Sequence, residues 1–308
     1  MLLRRDLLSI ADLTPQELHE VIETALRMKR DGWPPVLQGQ GLALLFEKPS
    51  LRTRVSFDVA MRQLGGYSIY LSQAEVGLGQ REPVADVARV LSRYVDGIAA
   101  RTYAQSTLDA LAQFATVPVI NALSDEEHPC QALADLLTIY EKKGRFRGVK
   151  LAFVGDGNNV ASSLVLAAAM VGMAITVASP EGYEIPRAVL DRAQALAESS
   201  GGSVTVVAAP EKAVRDADVV YTDVWTSMGQ EDSQVERLEA FGGYQVDQEL
   251  MALASPEAVF MHDLPAHRGE EIVDEVIESP RSVVFDQAEN RLHAQKAILA
   301  LLMAGGAA

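Results

Sequence analysis

The chain has a single cysteine, Cys130, in 308 residues. One thiol cannot close a disulfide within the chain, so no covalent framework holds the fold and a reducing, cytoplasmic compartment is the expectation. Histidine is also sparse, at positions 19, 128, 262, 267 and 293. His262 and His267 stand five apart with no paired cysteines nearby, so no zinc spacing is present and no metal is expected. No run of about 18 uncharged apolar residues occurs, so no segment is expected to span a bilayer. The amino terminus has an arginine pair but no long apolar core, and acidic residues follow at once. It reads as neither a secretory signal nor an organelle transit peptide. Basic residues are outnumbered, 27 against 42 acidic ones, for a net charge of −15. Nucleic acids and anionic membranes both call for a basic face, so neither is an expected partner. Any anion site must therefore be a local basic cluster in an acidic background. Solenoid-length repeats and low-complexity segments are absent, and the closing Ala-Gly-Gly-Ala-Ala is expected to fray.

What is present is the make-up of a folded enzyme. Apolar residues account for 48% and charged ones for 22%, which argues against disorder. The length exceeds a typical single core, and two domains follow. Short apolar runs alternate with helical periodicity. Gly41–Phe46 is a continuous apolar run, the mark of a strand buried on both faces. Tyr67–Leu71, Gly97–Ala100 and Val117–Asn121 are further strands, with helices at Thr14–Arg30, Arg54–Leu64 and Pro83–Tyr94 between them. A helix over Ala132–Lys142 leads to a second series. It comprises strands at Val149–Gly155, Ala174–Ser179, Val204–Ala208, Val219–Thr222 and Val259–His262, a helix at Val160–Val171, and a last helix from about Ala288 to Met303. The fold class is α/β: two doubly wound parallel-sheet domains of similar size, with the carboxy-terminal helix returning to the first. The boundaries expected are 1–135 with 288–308 for the first domain, and 136–287 for the second.

Six segments carry chemistry. In Phe46-Glu-Lys-Pro-Ser-Leu-Arg-Thr-Arg54, the residues Ser50, Arg52, Thr53 and Arg54 stand where a new helix leaves N–H groups unpaired. Hydroxyls, guanidinium groups and a helix amino terminus make a phosphate cradle, although a capped helix with solvated arginines would read the same way. In Asp125-Glu-Glu-His-Pro-Cys-Gln131, His128 and Gln131 can polarise a carbonyl and hold an NH₂ group. Cys130 has no suggestive histidine or acid spacing, and reads as a buried inert thiol. Val154-Gly-Asp-Gly-Asn-Asn159 half resembles a dinucleotide turn, but the third glycine is missing and no acidic residue stands in the ribose position. Asp223-Val-Trp-Thr-Ser-Met-Gly-Gln-Glu231 and His262-Asp-Leu-Pro-Ala-His-Arg-Gly269 each follow a strand, where open α/β sheets place ligands. There Asp223 can pair with an ammonium group and Ser227 with a polar head group. Asp286-Gln-Ala-Glu-Asn-Arg291 opens the last helix, and Arg291 alone would pass for surface charge.

Together these segments resemble the ornithine carbamoyltransferase family from near the amino terminus to the last helix. The resemblance rests on Ser-x-Arg-Thr-Arg, His-Pro-x-Gln, Asp-x-Trp-x-Ser-Met-Gly, x-Leu-Pro-Ala-His-Arg-Gly and Glu-Asn-Arg, in the family's order. The third position of His-Pro-x-Gln varies in the family, which fits an incidental Cys130. The likeness implies that Ser50, Leu51, Arg52 and Thr53, assisted by Arg101, hold the phosphate of carbamoyl phosphate. It implies that Arg101, His128 and Arg291 surround the carbamoyl oxygen and that Gln131 meets its amino group. Asn159, Asp223, Ser227, Met228, Asp263 and Leu264 would hold ornithine, and Arg101, His128, Asp263 and Arg291 would be catalytic. A homotrimer or a multiple of trimers is implied too, with active sites at subunit contacts, and no cofactor.

Two positions depart from the pattern. The family usually has cysteine where this chain has Asp263, beside the attacking amine. Many members place a subunit-shared glutamine near Gly77, where the nearest here is Gln80. The acceptor amine must lose a proton before it attacks, and the acceptor half is expected to close over the donor half. The expected activity is transfer of the carbamoyl group to the side-chain amine of L-ornithine, giving L-citrulline and phosphate. Alternatives are a different amine acceptor (putrescine, aspartate or an acylated ornithine) and a catalytically impaired binding or regulatory relative marked by Asp263. A nicotinamide dehydrogenase is the remotest.

Overall fold

The computed structural model describes residues 6–304, so the expectation for the last residues of the tail lies outside the described part. Among the described residues, nine strands form two parallel sheets. The first contains β1 (Gly41–Phe46), β2 (Tyr67–Ser72), β3 (Gly97–Arg101) and β4 (Val119–Leu123), in the order β2-β1-β3-β4. The second contains β5 (Lys150–Val154), β6 (Ala174–Ala178), β7 (Ser203–Val207), β8 (Val219–Thr222) and β9 (Val259–Met261), in the order β7-β6-β5-β8-β9. All neighbouring pairs run parallel. Strand and helix alternate along the chain, as apolar runs broken by helical periodicity require.

The chain divides into two units, residues up to Leu137 with Glu289 onward, and Thr138–Ala288. The divisions fall inside two helices, Pro129–Lys143 and Val284–Met303. Every residue of β1 and β3 is buried, and so is the edge strand β4, whose outer side pairs with the backbone of Leu7, whereas the edge strands β2 and β7 show partly exposed patterns. Strands covered on both faces are largely apolar, and uncovered edges need not be. Each sheet has its own core. In the first, Leu45, Ile98, Ala100, Leu108 and Leu111 pack together. In the second, Val154, Val220, Phe260, Ile272 and Val284 do.

In each sheet the strand order reverses once, between β1 and β3 and between β5 and β8. At such a point the connections leave in opposite directions and open a crevice at the carboxyl ends of the strands. The segments singled out from the sequence follow β1, β4, β5, β8 and β9, and Arg101 is the last residue of β3. Several helices lacked a clear sequence signal, among them Gln105–Phe114 and Arg187–Ser200, both starting without a side-chain cap.

Val154-Gly-Asp-Gly-Asn-Asn159 has a structural explanation. A Cβ at Gly157 would lie 2.3 Å from the Ile185 nitrogen and 2.4 Å from the Glu184 carbonyl carbon. Glycine is required there because two backbones nearly touch. Asn158 caps the following helix, its side-chain oxygen accepting from the N–H groups of Val160 and Ala161, both at 3.0 Å. Those donors are the ones a dinucleotide pyrophosphate would need. Gly157→Ala is expected to destabilise the protein by about 1–3 kcal/mol, the usual cost of overpacking. Urea denaturation checks this, and an unchanged midpoint would refute the close-approach reading.

Candidate active site

The first unit gathers its polar residues around the start of the helix Leu51–Gln63. Ser50 is the N-cap: its hydroxyl accepts from the Thr53 N–H at 3.3 Å and donates to Thr53 Oγ1 at 3.0 Å. The cap starts the helix three residues earlier than Arg54, where periodicity alone began it. Leu51, Arg52 and Thr53 thus form the first turn, whose N–H groups have no partner within the helix. Arg291, from the helix Val284–Met303, donates through Nη2 to Thr53 Oγ1 at 2.5 Å. With two donors aimed at that oxygen, the hydroxyl's own proton is left to donate outward. Thr53 is fully buried and Arg291 nearly so, at 3% exposure.

Arg101 ends β3 where the register with β4 shifts between Ala100 and Arg101. A local irregularity of this kind re-aims the side chain at a strand end. The Arg101 carbonyl accepts from the Glu47 N–H at 2.8 Å, tying the ends of β1 and β3 together. His128, just before the helix Pro129–Lys143, is buried. Burial, with the Arg291 and Arg101 guanidinium groups beside it, holds its pKa well below the ordinary value of 6.5. The imidazole is therefore neutral at pH 7 and can donate from one nitrogen. Gln131 gives its amide nitrogen to Asp135 Oδ1 at 2.9 Å, while its buried Oε1 has no hydrogen-bond partner. An acceptor oxygen is thus available for an NH₂ group. Cys130 is buried and donates to the Asn121 carbonyl at 3.4 Å; burial pushes the thiol pKa up to about 12. That excludes a thiolate nucleophile at ordinary pH. Arg54 turns outward, its guanidinium 3.8 Å from the Tyr70 ring centroid.

The second unit presents a cluster of opposite character. Asp223 follows β8 and is buried; its Oδ2 accepts from Asn158 Nδ2 at 2.6 Å and its Oδ1 from the Val224 N–H at 2.7 Å. Asp263 follows β9, and oxygen or nitrogen atoms of Asp223, His262 and Asp263 lie within 4.8 Å of one another. Burial pushes the Asp223 pKa well above the usual carboxylate value, and the charge of Asp263 and a hydrogen bond to it push the same way. A second carboxylate beside a buried one disfavours ionisation, which adds to the effect of burial on Asp223.

The surrounding network settles the state of His262. Its Nδ1 accepts from the Leu264 N–H at 2.9 Å, so the ring proton sits on Nε2, which faces Glu271 Oε1 at 3.0 Å. The 3.5 Å approach of Nδ1 to Asp263 is then no ion pair. Leu264 has φ +60°, a left-handed conformation that costs a non-glycine residue about 1–2 kcal/mol and is held here by its bond to His262. The loop after Asp223 is braced by Arg237, which bonds the Trp225 carbonyl at 2.6 Å and Asp156 at 2.8 Å.

Within the first unit, Ser50, Thr53 and Arg291 are joined directly, and Arg101 and Arg291 act on His128. Arg52 is half-buried on the same turn, and the Leu51 side chain is exposed, so Leu51 can offer only its N–H. Within the second unit, Asp223, His262 and Asp263 come together. Asn158 is bonded to Asp223, and Asn159 opens the helix Asn159–Met170. The Ser227 N–H donates to Gln230 Oε1 at 3.1 Å, Met228 is exposed, and Gln80 is exposed beyond Gly77. Asn158, Glu271 and Arg237 were missed from sequence. An Asn ahead of an apolar helix was a legible cap signal, whereas the other two act through tertiary contacts.

Known proteins with the same architecture share its sequence. The family model described as aspartate/ornithine carbamoyltransferase, carbamoyl-P binding domain, matches residues 5–141. The companion Asp/Orn binding domain matches residues 147–302. The chain is 55% identical over 305 residues to the anabolic ornithine carbamoyltransferase of Pyrococcus furiosus, covering 98% of this chain and 97% of that one. A solved ornithine carbamoyltransferase from Pyrococcus furiosus superimposes with TM-score 0.96 at 55% identity, covering 99% of this chain and 98% of that one. The enzyme of that name from Gloeobacter violaceus gives 0.90 at 52%, covering 98% and 100%.

Two measurements test the electrostatics. Cys130 is expected to resist iodoacetamide in the native protein at pH 8 and to react once unfolded, as read by mass spectrometry; rapid native labelling would refute its burial. Because His128 titrates below its unfolded value near 6.5, the unfolded state takes up the proton first as pH falls. Its contribution to stability is thus present above pH 6.5 and is lost progressively below it. Comparing His128→Asn with the parent by denaturation at pH 5 and 8 checks this: the variant's stability should fall less over that range.

Proposed function

The chain belongs to the aspartate/ornithine carbamoyltransferase family, and we propose that it transfers the carbamoyl group of carbamoyl phosphate to the side-chain amine of L-ornithine, giving L-citrulline and phosphate. One observation carries this reading. In a chain of net charge −15, Arg291 and Thr53 are bonded to each other and Arg101 and Arg291 both crowd a neutral His128. A buried set of cations and hydroxyls suits a phosphorylated, carbonyl-bearing donor. The family likeness supports the same ligand.

In this reading, residues 1–135 with 288–308 bind carbamoyl phosphate and residues 136–287 bind ornithine. Ser50, Arg52, Thr53 and the Leu51 N–H hold the phosphate. Gln131 Oε1 accepts from the carbamoyl NH₂, and Arg101, His128 and Arg291 donate toward its oxygen. Asp223, Asp263, Asn159, Ser227, Met228 and Leu264 receive ornithine, with Asn158 orienting Asp223.

An alkylamine has a pKa near 10.4, so presenting it neutral at pH 7 costs about 4–5 kcal/mol at 1.36 per unit. The neutral amine adds to the carbonyl carbon and the C=O electron pair moves onto oxygen. Donors already aimed at that oxygen favour the addition, each typically worth roughly 3 kcal/mol. The pair on oxygen then re-forms the C=O bond as the C–O bond to phosphate breaks, phosphate leaves with the bonding pair of that C–O bond, and the proton shed by nitrogen passes to it.

In this reading Asp223 and Asp263 share a proton, as burial and their proximity favour, and a carboxylate can then stand where relatives usually carry cysteine. Such a pair would bear one negative charge, as an aspartate beside a neutral thiol does, and present a single charge to ornithine. The impaired-relative alternative has no observation in its favour. The buried free thiol suits a reducing compartment, and the cytoplasm and a trimer, or a multiple of trimers, are the location and assembly proposed. No helix among the described residues is long and apolar enough to cross a membrane.

The test is citrulline formation from carbamoyl phosphate, with ornithine, putrescine, aspartate and N-acetylornithine compared at matched concentration. Ornithine is expected to win in kcat/KM by at least about a hundredfold, and Asp263→Cys to stay within about tenfold of the parent. Equal turnover of another amine, or no turnover of any, overturns the assignment.

A further inference from the structure

The turn after the acceptor-binding segment holds a second polar cluster that neither substrate uses. His267, Glu270 and Glu271 each direct one nitrogen or carboxylate oxygen to within 4.8 Å of the others. The backbone that carries them is pinned. Gln245 Nε2 donates to the carbonyls of Gly269 and Glu270 at 2.8 and 2.7 Å, and the Glu270 N–H returns to the His267 carbonyl at 2.9 Å. The side chains have less company. Glu271 is fully buried; its Oε1 lies 3.0 Å from His262 Nε2 and accepts from the His267 N–H at 2.6 Å, while its Oε2 has no hydrogen-bond partner. His267 Nδ1 and Glu270 Oε2 approach each other at 3.5 Å, and both are buried atoms without a hydrogen-bond partner.

A buried carboxylate oxygen without a donor is costly, and a second carboxylate beside it adds repulsion. Protein donors do not relieve either, whereas a cation would relieve both. We propose that His267, Glu270 and Glu271 form a binding site for a divalent transition-metal ion of the Zn²⁺ or Co²⁺ class. One imidazole nitrogen with two carboxylate oxygens suits such borderline ions; Mg²⁺ and Ca²⁺ favour oxygen alone. The site is open at its rim, since the His267 and Glu270 side chains are 41% and 27% exposed, and water can complete the coordination. Glu271 forms its floor.

The ion has a mechanical consequence. Glu271 Oε1 faces the protonated nitrogen of His262, whose other nitrogen holds the Leu264 N–H in its left-handed turn. A metal on the second oxygen fixes the Glu271 carboxylate and, through it, the His262–Leu264 segment. It acts as a clamp on the loop and is no part of the chemistry. Binding stands apart from the carbamoyltransferase reading, so loss of one would leave the other intact.

The test uses the full chain, stripped with chelator and titrated with Zn²⁺ by calorimetry and with Co²⁺ by visible absorption. The expected result is one strong site per chain with a rise in Tm on Zn²⁺ addition. His267→Gln and Glu270→Gln should each weaken binding at least about tenfold and abolish the Tm rise. These rim variants avoid the folding risk of altering buried Glu271. Asp263→Asn, in the separate Asp223–His262–Asp263 group, should leave Zn²⁺ affinity unchanged. Absence of binding, binding insensitive to both rim variants, or binding lost in Asp263→Asn would each overturn the proposal.

Discussion

The first unit depends on one contact, the Arg291 guanidinium donating to the Thr53 hydroxyl across 238 positions of sequence. Burying a guanidinium is expensive unless its surroundings are polar and fixed. The helix start at Ser50, the irregular end of β3 and the loop before Pro129 meet that requirement together. Each supplies a polar group at the carboxyl edge of the sheet. Burial first, and then the same cations that can receive a phosphate, keep His128 neutral, because a further positive charge in a buried place beside them is unfavourable.

The second unit solves the converse problem. Two carboxylates, Asp223 and Asp263, meet in a buried place and cannot both ionise there at low cost. Burial and the neighbouring carboxylate both favour the protonated form of Asp223. Asn158 orients Asp223 while capping its own helix, and Glu271 faces the protonated nitrogen of His262. The loops carrying these groups are held by side chains that touch no substrate in the proposed scheme, such as Arg237 and Gln245. The cluster in the second unit is thus a positioned network around a buried pair of carboxylates.

Much of the architecture was legible beforehand. Gly41–Phe46 and Val219–Thr222 have the same bounds in sequence and structure, since unbroken apolar runs between polar turns have few other uses. Helices such as Arg187–Ser200 were not, because their apolar faces are narrow and no side chain caps them. The early start of the helix at Leu51 escaped periodicity because a cap, rather than an apolar stripe, begins it. The bond from Asn158 to Asp223 escaped the sequence, because spacing does not carry side-chain direction.

By itself the sequence determined the alternation of strand and helix, the candidate segments at the strand ends, the lack of any disulfide, and a local rather than global positive charge. These follow from composition, period and order, which are properties of the chain read in one dimension. Tertiary structure alone decided the electrostatics of these groups: a neutral His128, an Asp223 carboxyl pushed toward its protonated form, and an inert Cys130. A pKa responds to burial and to charges a few ångströms away, and those neighbours come from distant positions that only folding brings together.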